Sequence, residues 1–119
     1  MISFLRGFVF AFNGIRLAWS GRNVRVQCAA ALAAISCGLW LEISRNDWMI
    51  LSIIVALVLA FETLNSAVEE IVNLVSPEYN PLAGKIKDLA AGAVLLMAIT
   101  SVIVGAFLFY PYLALRFNL

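Results

Sequence analysis

WMILSIIVALVLAFETLNSAVEE, residues 48–70, is the stretch that decides the fold. It carries no charged side chain up to Phe61, and the acidic Glu62 follows at once. No proline or glycine occurs from its start to Ser76, and these are the residues that most often end a helix. The pattern predicts one helix that crosses an apolar layer and continues as a polar helix to about Val75.

The composition of the whole chain agrees with a membrane protein. Of its 119 residues, 64% are hydrophobic and 13% charged, whereas a soluble domain is roughly half apolar and a quarter charged. So short a chain has little core, and the excess apolar surface must face lipid. A net charge of +1 without a basic cluster excludes a nucleic-acid partner. With no histidine and only two cysteines, the chain also lacks the ligands of a zinc or iron–sulfur site.

Two further charge-free runs extend from Val26 to Leu41 and from Leu89 to Leu115. Prolines at both ends of segment 77–81 separate the last two runs, because proline disfavours helix in the residue before it. We therefore predict an all-α membrane protein, a single domain of residues 1–119. Its transmembrane helices are expected at about residues 24–42, 48–75 and 82–114, with the last ending at Pro111 or a little later.

An amphipathic helix precedes these spans, at about residues 4–20. At helical spacing, its apolar and polar residues separate onto two faces: Phe8, Phe12, Ile15 and Trp19 on one, and Arg6, Asn13 and Ser20 on the other. This pattern is typical of a surface helix lying in the membrane plane. The first span is preceded by arginines and no acid, namely Arg6, Arg16, Arg22 and Arg25. The positive-inside rule then predicts a cytoplasmic N-terminus.

Glu62, Asn65 and Glu69 are the first candidates for chemistry. Their spacing of three and four positions places them on one helix face. Ionisable residues near the hydrocarbon layer are costly and usually mark function, although a polar face can also join helices through hydrogen bonds. The residues alone leave both interpretations open.

Lys87 and Asp88 lie near the start of the last helix, close to the same membrane boundary. Carboxylates suit Mg²⁺ and a lysine can hold phosphate, so the combined set is sufficient for ATP-dependent phosphoryl transfer. The alternative is that this pair has no role in catalysis. The lysine would then extend its charged end toward water, and the aspartate would be stabilised by the dipole at the start of the helix. Ala83-Gly84-Lys85 lacks the other residues of a P-loop, which excludes a conventional soluble kinase fold.

Several segments together resemble the family of prokaryotic diacylglycerol kinases and undecaprenol kinases. They are Phe61-Glu-Thr-Leu-Asn-Ser-Ala-Val-Glu69, Tyr79, Pro81-Leu-Ala and Lys87-Asp-Leu-Ala-Ala-Gly-Ala-Val-Leu. The resemblance extends from about Phe4 to Tyr112. It implies a homotrimer of three-span subunits with active sites between subunits, in a bacterial inner (cytoplasmic) membrane. The implied reaction is ATP- and Mg²⁺-dependent phosphorylation of a membrane lipid alcohol, either diacylglycerol to phosphatidic acid or undecaprenol to undecaprenyl phosphate.

The same resemblance implies a role for each matching residue. Glu62 would be the catalytic base that takes the proton of the lipid hydroxyl, and Glu69 with Asn65 would bind the metal. The residues implied to contact ATP are Glu78, Tyr79, Asn80, Lys87 and Asp88. Those implied to border the lipid substrate are Arg16, Trp19, Glu62 and Ala91.

The chain departs from the family pattern at Gly21, where the family usually has a second metal-binding glutamate. Metal affinity could then be weaker, Glu70 could substitute, or the protein could be a catalytically impaired member. A hypothesis from another class is a small proton-coupled membrane exporter that uses Glu62 as its proton carrier. That hypothesis leaves Glu69, Lys87 and Asp88 without a role.

Overall fold

A computed structural model describes all residues, 1–119, as four α-helices and no strand. The helices are α1 (Ile2–Trp19), α2 (Arg22–Leu41), α3 (Arg45–Val75) and α4 (Pro81–Phe117). Of these, α2, α3 and α4 are long and apolar enough to cross a membrane. The predicted all-α architecture, a separate N-terminal helix followed by three candidate spans, is confirmed.

Side-chain caps set where α3 and α4 begin. The Ser44 hydroxyl accepts a hydrogen bond from the Asp47 amide at 3.2 Å, so α3 starts at Arg45, a few residues before the span expected from hydropathy. The Asn80 side chain accepts from the Leu82 amide at 2.9 Å, and Pro81 takes the first helical position, where its missing N–H costs nothing. These local bonds fix where the polar start of α4 begins after the short loop that follows α3.

Pro111 lies inside α4, which continues to Phe117. A proline removes one backbone hydrogen bond, but contacts with other helices hold the turns that follow it. The Tyr112 hydroxyl donates to the Asp47 carboxylate and accepts from the Ser44 amide at 2.9 Å. The Arg116 guanidinium also lies over the Trp40 ring, 4.9 Å from its centroid. These contacts explain why the helix extends past the expected end of the span.

The core of a single chain is small, with 9 of 119 residues buried. Its one hydrophobic cluster, Ile43, Leu51 and Leu108, lies where the α2–α3 turn meets α4. The longest helices, α3 and α4, form a hairpin along their length, and α1 packs against α2 and α3. Most large apolar side chains remain exposed, as expected for surfaces that contact lipid or other chains.

Candidate functional site

The buried face of α3 changes character along the helix. Leu51 and Val58 are its buried residues in the charge-free half, and Glu62 and Asn65 are buried beyond them. Glu62 is 3% exposed and Asn65 6% exposed, which makes them the most deeply buried polar side chains of the chain. Because a carboxylate is rarely so buried without a partner or a function, Glu62 is the leading candidate for a functional side chain.

Asn65 and Glu69 provide oxygen atoms one helical turn apart. The Asn65 Nδ2 donates to Glu69 Oε1 at 3.4 Å, whereas the buried Asn65 Oδ1 has no hydrogen-bond partner. Glu69 is itself exposed, so its carboxylate can reach a ligand. An unpaired amide oxygen beside a carboxylate suits Mg²⁺, a hard cation that prefers oxygen ligands.

Asn65 and Glu69 can supply two oxygen ligands to Mg²⁺, but two ligands are too few for the protein to hold the ion by itself. The chain contains no group of three His, Cys, Asp or Glu side chains placed to bind a metal. Mg²⁺ usually takes one or two carboxylates and completes its shell with substrate phosphates and water. The residues present therefore fit a metal that arrives with a nucleotide.

The hydroxyl groups of the same segment do not join the site. Thr63 donates to the Leu59 carbonyl at 2.8 Å, and Ser66 donates to the Glu62 carbonyl at 3.1 Å. Such bonds to the preceding helical turn satisfy a hydroxyl within its own helix.

Lys87, on the second turn of α4, extends toward α3. Its Nζ donates to Asn73 Oδ1 at 2.6 Å. Asn73 lies four positions beyond Glu69 and continues the spacing of Glu62, Asn65 and Glu69, so it belongs to the same polar face. Asn73 is not among the predicted site residues, although its spacing from Glu69 is a signal that the sequence contains.

Asp88 lies on a different side of α4 from Lys87. A shallow surface depression brings together the loop before α4 and its first two turns, lined by Tyr79, Asn80, Pro81, Gly84, Lys85, Asp88 and Leu89. Three of the predicted nucleotide contacts, Tyr79, Asn80 and Asp88, therefore share one surface, to which Lys85 is added. Lys87, another of the five predicted nucleotide contacts, is oriented toward α3 instead. Glu78 is exposed in the same loop, and its carbonyl accepts from the Ser76 hydroxyl at 3.4 Å.

Of the four residues expected to border the lipid substrate, Glu62 is buried and the other three are exposed. Arg16 and Trp19 lie at the end of α1, which packs against α2 and α3, and Ala91 lies on α4. Exposure on apolar helices is compatible with lipid contact. Their assignment to the lipid substrate stays a prediction.

Gly21 caps the start of α2 with an ordinary extended backbone, φ −75° and ψ 135°. A Cβ added there would lie 3.2 Å from the Ala18 carbonyl oxygen, a tight contact that would require the backbone to shift by a few tenths of an ångström. The backbone dihedral angles themselves are ones that a residue with a side chain adopts without strain. Glu70 is exposed on α3, beside Glu69 in the sequence.

Comparison with known proteins covers most of the chain. Residues 9–109 match the model of the family described as prokaryotic diacylglycerol kinase. The chain is 40% identical over 111 residues to the undecaprenol kinase of Bacillus subtilis (strain 168), across 92% of this chain and 90% of that protein. It is 33% identical over 104 residues to the diacylglycerol kinase of Escherichia coli (strain K12), across 87% of this chain and 85% of that protein.

Proposed function

This chain belongs to the prokaryotic diacylglycerol kinase family and is a membrane lipid kinase, and from that premise we propose which reaction it catalyses and how. The proposed reaction is transfer of the γ-phosphoryl group of ATP, with Mg²⁺, to the hydroxyl of a membrane lipid alcohol. Undecaprenol and diacylglycerol are the two candidate acceptors, because relatives of both names are similar to this chain.

The burial of Glu62 is the observation that best supports this mechanism. We assign it as the general base. As the lipid oxygen forms a bond to the γ-phosphorus, the bond from that phosphorus to the bridging oxygen breaks and ADP leaves. The proton of the lipid hydroxyl passes to the Glu62 carboxylate. A base placed at the boundary of the charge-free helix half can meet a hydroxyl that stays at the membrane surface.

Asn65 and Glu69 would hold the metal, which the unpaired Asn65 Oδ1 supports. Bound Mg²⁺ would neutralise charge on the phosphates. Lys87 would bind phosphate oxygens, while Glu78, Tyr79, Asn80 and Asp88 would contact the rest of the nucleotide. Arg16, Trp19 and Ala91 would border the lipid.

The site requires ATP and lipid to meet at one membrane face. We place the N-terminus and the α3–α4 loop in the cytoplasm, in the inner membrane of a bacterium, because ATP is available there and the arginines before the first span favour that side. We further propose that three chains assemble and that neighbouring subunits complete each active site. The exporter hypothesis is not retained, since it does not account for membership of a kinase family.

The first test measures Mg²⁺- and ATP-dependent ADP release by the purified protein in mild detergent, with diacylglycerol and with undecaprenol. Turnover should require one of these alcohols. Glu62→Gln should lower it on the order of 100- to 10,000-fold, the usual contribution of a general base. The ATP-induced rise in melting temperature should be retained, because this change leaves the nucleotide contacts in place. Glu42→Gln, the same change at the exposed far end of the bundle, is the matched control.

Absence of turnover with both alcohols leads to a second variant, Gly21→Glu. Activity gained in that variant would mean that the metal site is impaired in this chain while the proposed reaction stands. Continued absence of turnover, or full activity of Glu62→Gln, would overturn the proposal.

A further inference from the structure

The side chain of Lys87 is held in one place by a partner on another helix. It is half-buried, and its Nζ lies 2.6 Å from Asn73 Oδ1. A lysine has a long flexible stem and loses much rotamer freedom when it binds a ligand. A partner that orients the ammonium beforehand removes part of that loss from the binding step.

The two residues come from helices that are fixed relative to each other. Asn73 lies near the C-terminal end of α3, and Lys87 lies 14 positions later, on α4. The Asn80 cap and Pro81 set the start of α4, and the connecting loop is short. The hydrogen bond therefore places the ammonium beside the polar face of α3, one turn beyond Glu69.

The chemistry of the partner also matters. A lysine only donates hydrogen bonds, so the amide oxygen of Asn73 must be the atom that faces it. One of the three ammonium protons is used, and the others remain free for phosphate oxygens. Because the amide is neutral, it orients the lysine without cancelling its charge, as a carboxylate would in part.

We propose that Asn73 is a positioning residue for the nucleotide, holding the Lys87 ammonium in advance where the phosphates of ATP bind. The inference rests on the proposed function, since it takes Lys87 as a phosphate contact. Asn73 acts through Lys87 and need not touch the substrate.

The main test compares Asn73→Leu with the unaltered protein in steady-state kinetics. The KM for ATP should rise about threefold to tenfold, the cost of ordering one flexible side chain during binding. The KM for the lipid alcohol should not change. Asn73→Asp should give a KM for ATP between those of the unaltered protein and Asn73→Leu, because a carboxylate accepts the same hydrogen bond but partly cancels the ammonium charge. Asn46→Leu, an exposed asparagine near the other end of α3, is the matched control.

A second measurement asks whether the effect passes through Lys87. Melting temperature is recorded with and without Mg·ATP, since at a fixed concentration a ligand that binds only the folded state stabilises it less when its Kd is higher. Asn73→Leu should reduce the ATP-induced shift when Lys87 is present. It should cause no further reduction in a Lys87→Met background.

The outcomes separate this inference from the proposed function. Three outcomes would overturn the role of Asn73 while leaving the proposed function intact. They are an unchanged KM for ATP in an active Asn73→Leu enzyme, an equal rise in the KM for ATP and the KM for the lipid alcohol, and an effect of Asn73→Leu that persists in the Lys87→Met background. If the unaltered protein shows neither kinase activity nor an ATP-induced rise in melting temperature, the proposed function is wrong, and this inference fails with it.

Discussion

Asn65 shows at the scale of a single residue how function and stability are opposed in this protein. Its Nδ2 has a partner, but its buried Oδ1 has none. An unsatisfied buried polar atom costs about 1–3 kcal/mol, whereas an apolar residue of similar shape at the same place is nearly neutral or stabilising. A buried polar atom without a partner calls for an explanation, and a ligand such as the proposed metal is the one that we test.

Asn65→Leu should therefore separate the two effects. The melting temperature without metal or nucleotide should stay the same or rise, because the orphaned atom is gone. The Mg²⁺ concentration that gives half the maximal rate should rise about tenfold, a usual result of disturbing a metal site.

Thermal unfolding in detergent and a Mg²⁺ titration of ADP release measure the two quantities, with Asn46→Leu again as the control. A lower melting temperature together with an unchanged Mg²⁺ requirement would show that Asn65 is structural and not part of the metal site.

At the scale of the elements, the turn between α2 and α3 depends on one close approach. A Cβ on Gly38 would lie 3.0 Å from Trp48 Cη2 and 3.1 Å from Ile43 Cδ1. Gly38 is buried, and the Trp48 ring is rigid, so the neighbours have little freedom to move aside. A side chain at position 38 would therefore require Trp48 and Ile43 to shift where the first span packs on the second.

Gly38→Val should destabilise the protein by about 1–3 kcal/mol, the usual cost of overpacking a well-filled site. Its ATP KM should not change, because this turn lies at the opposite end of α3 from Lys87. Thermal unfolding and ATP-dependent kinetics provide the two measurements.

Gly7→Val is the matched control, since no atom lies within 4 Å of a Cβ added at Gly7 in α1. Both variants replace a helical glycine with the same residue, so differences in helix propensity largely cancel. Equal melting temperatures would contradict the proposed role of the close approach.

At the scale of the whole molecule, a single chain buries little of its surface, and we expect neighbouring chains to cover part of the rest. Only 9 of its 119 residues are buried, and exposed apolar side chains occur on all four helices. Lipid covers part of this surface. The polar half of α3 and the start of α4 also need walls that keep ATP and lipid together, and neighbouring chains can supply them.

We expect native mass spectrometry of the active protein in detergent to give a protein mass three times the chain mass of 13.0 kDa. Kinase activity should be lost when the assembly dissociates, because each active site is expected to include residues of two subunits. A monomer that retains full activity would refute both expectations.

Local patterns explain why much of the fold could be predicted. Hydropathy and helical spacing depend only on neighbouring residues, and they indicated three spans, the amphipathic α1 and the polar face from Glu62 to Glu69. Family resemblance added roles for residues such as Lys87 and Asp88 that spacing alone could not assign. Those roles stay predictions until the variants described above are measured.

Contacts between helices had to come from the tertiary structure. The sequence by itself determined that Lys87 and Asp88 lie near the start of the last helix, but only the packing of α4 on α3 decided that Lys87 meets Asn73 and that Asp88 lies beside Tyr79. Likewise, only the tertiary structure joined Tyr112 to Asp47. The physical reason is that such contacts depend on how each helix is rotated about its axis and shifted along it. Both quantities arise from packing between distant parts of the chain and leave no local pattern in the sequence.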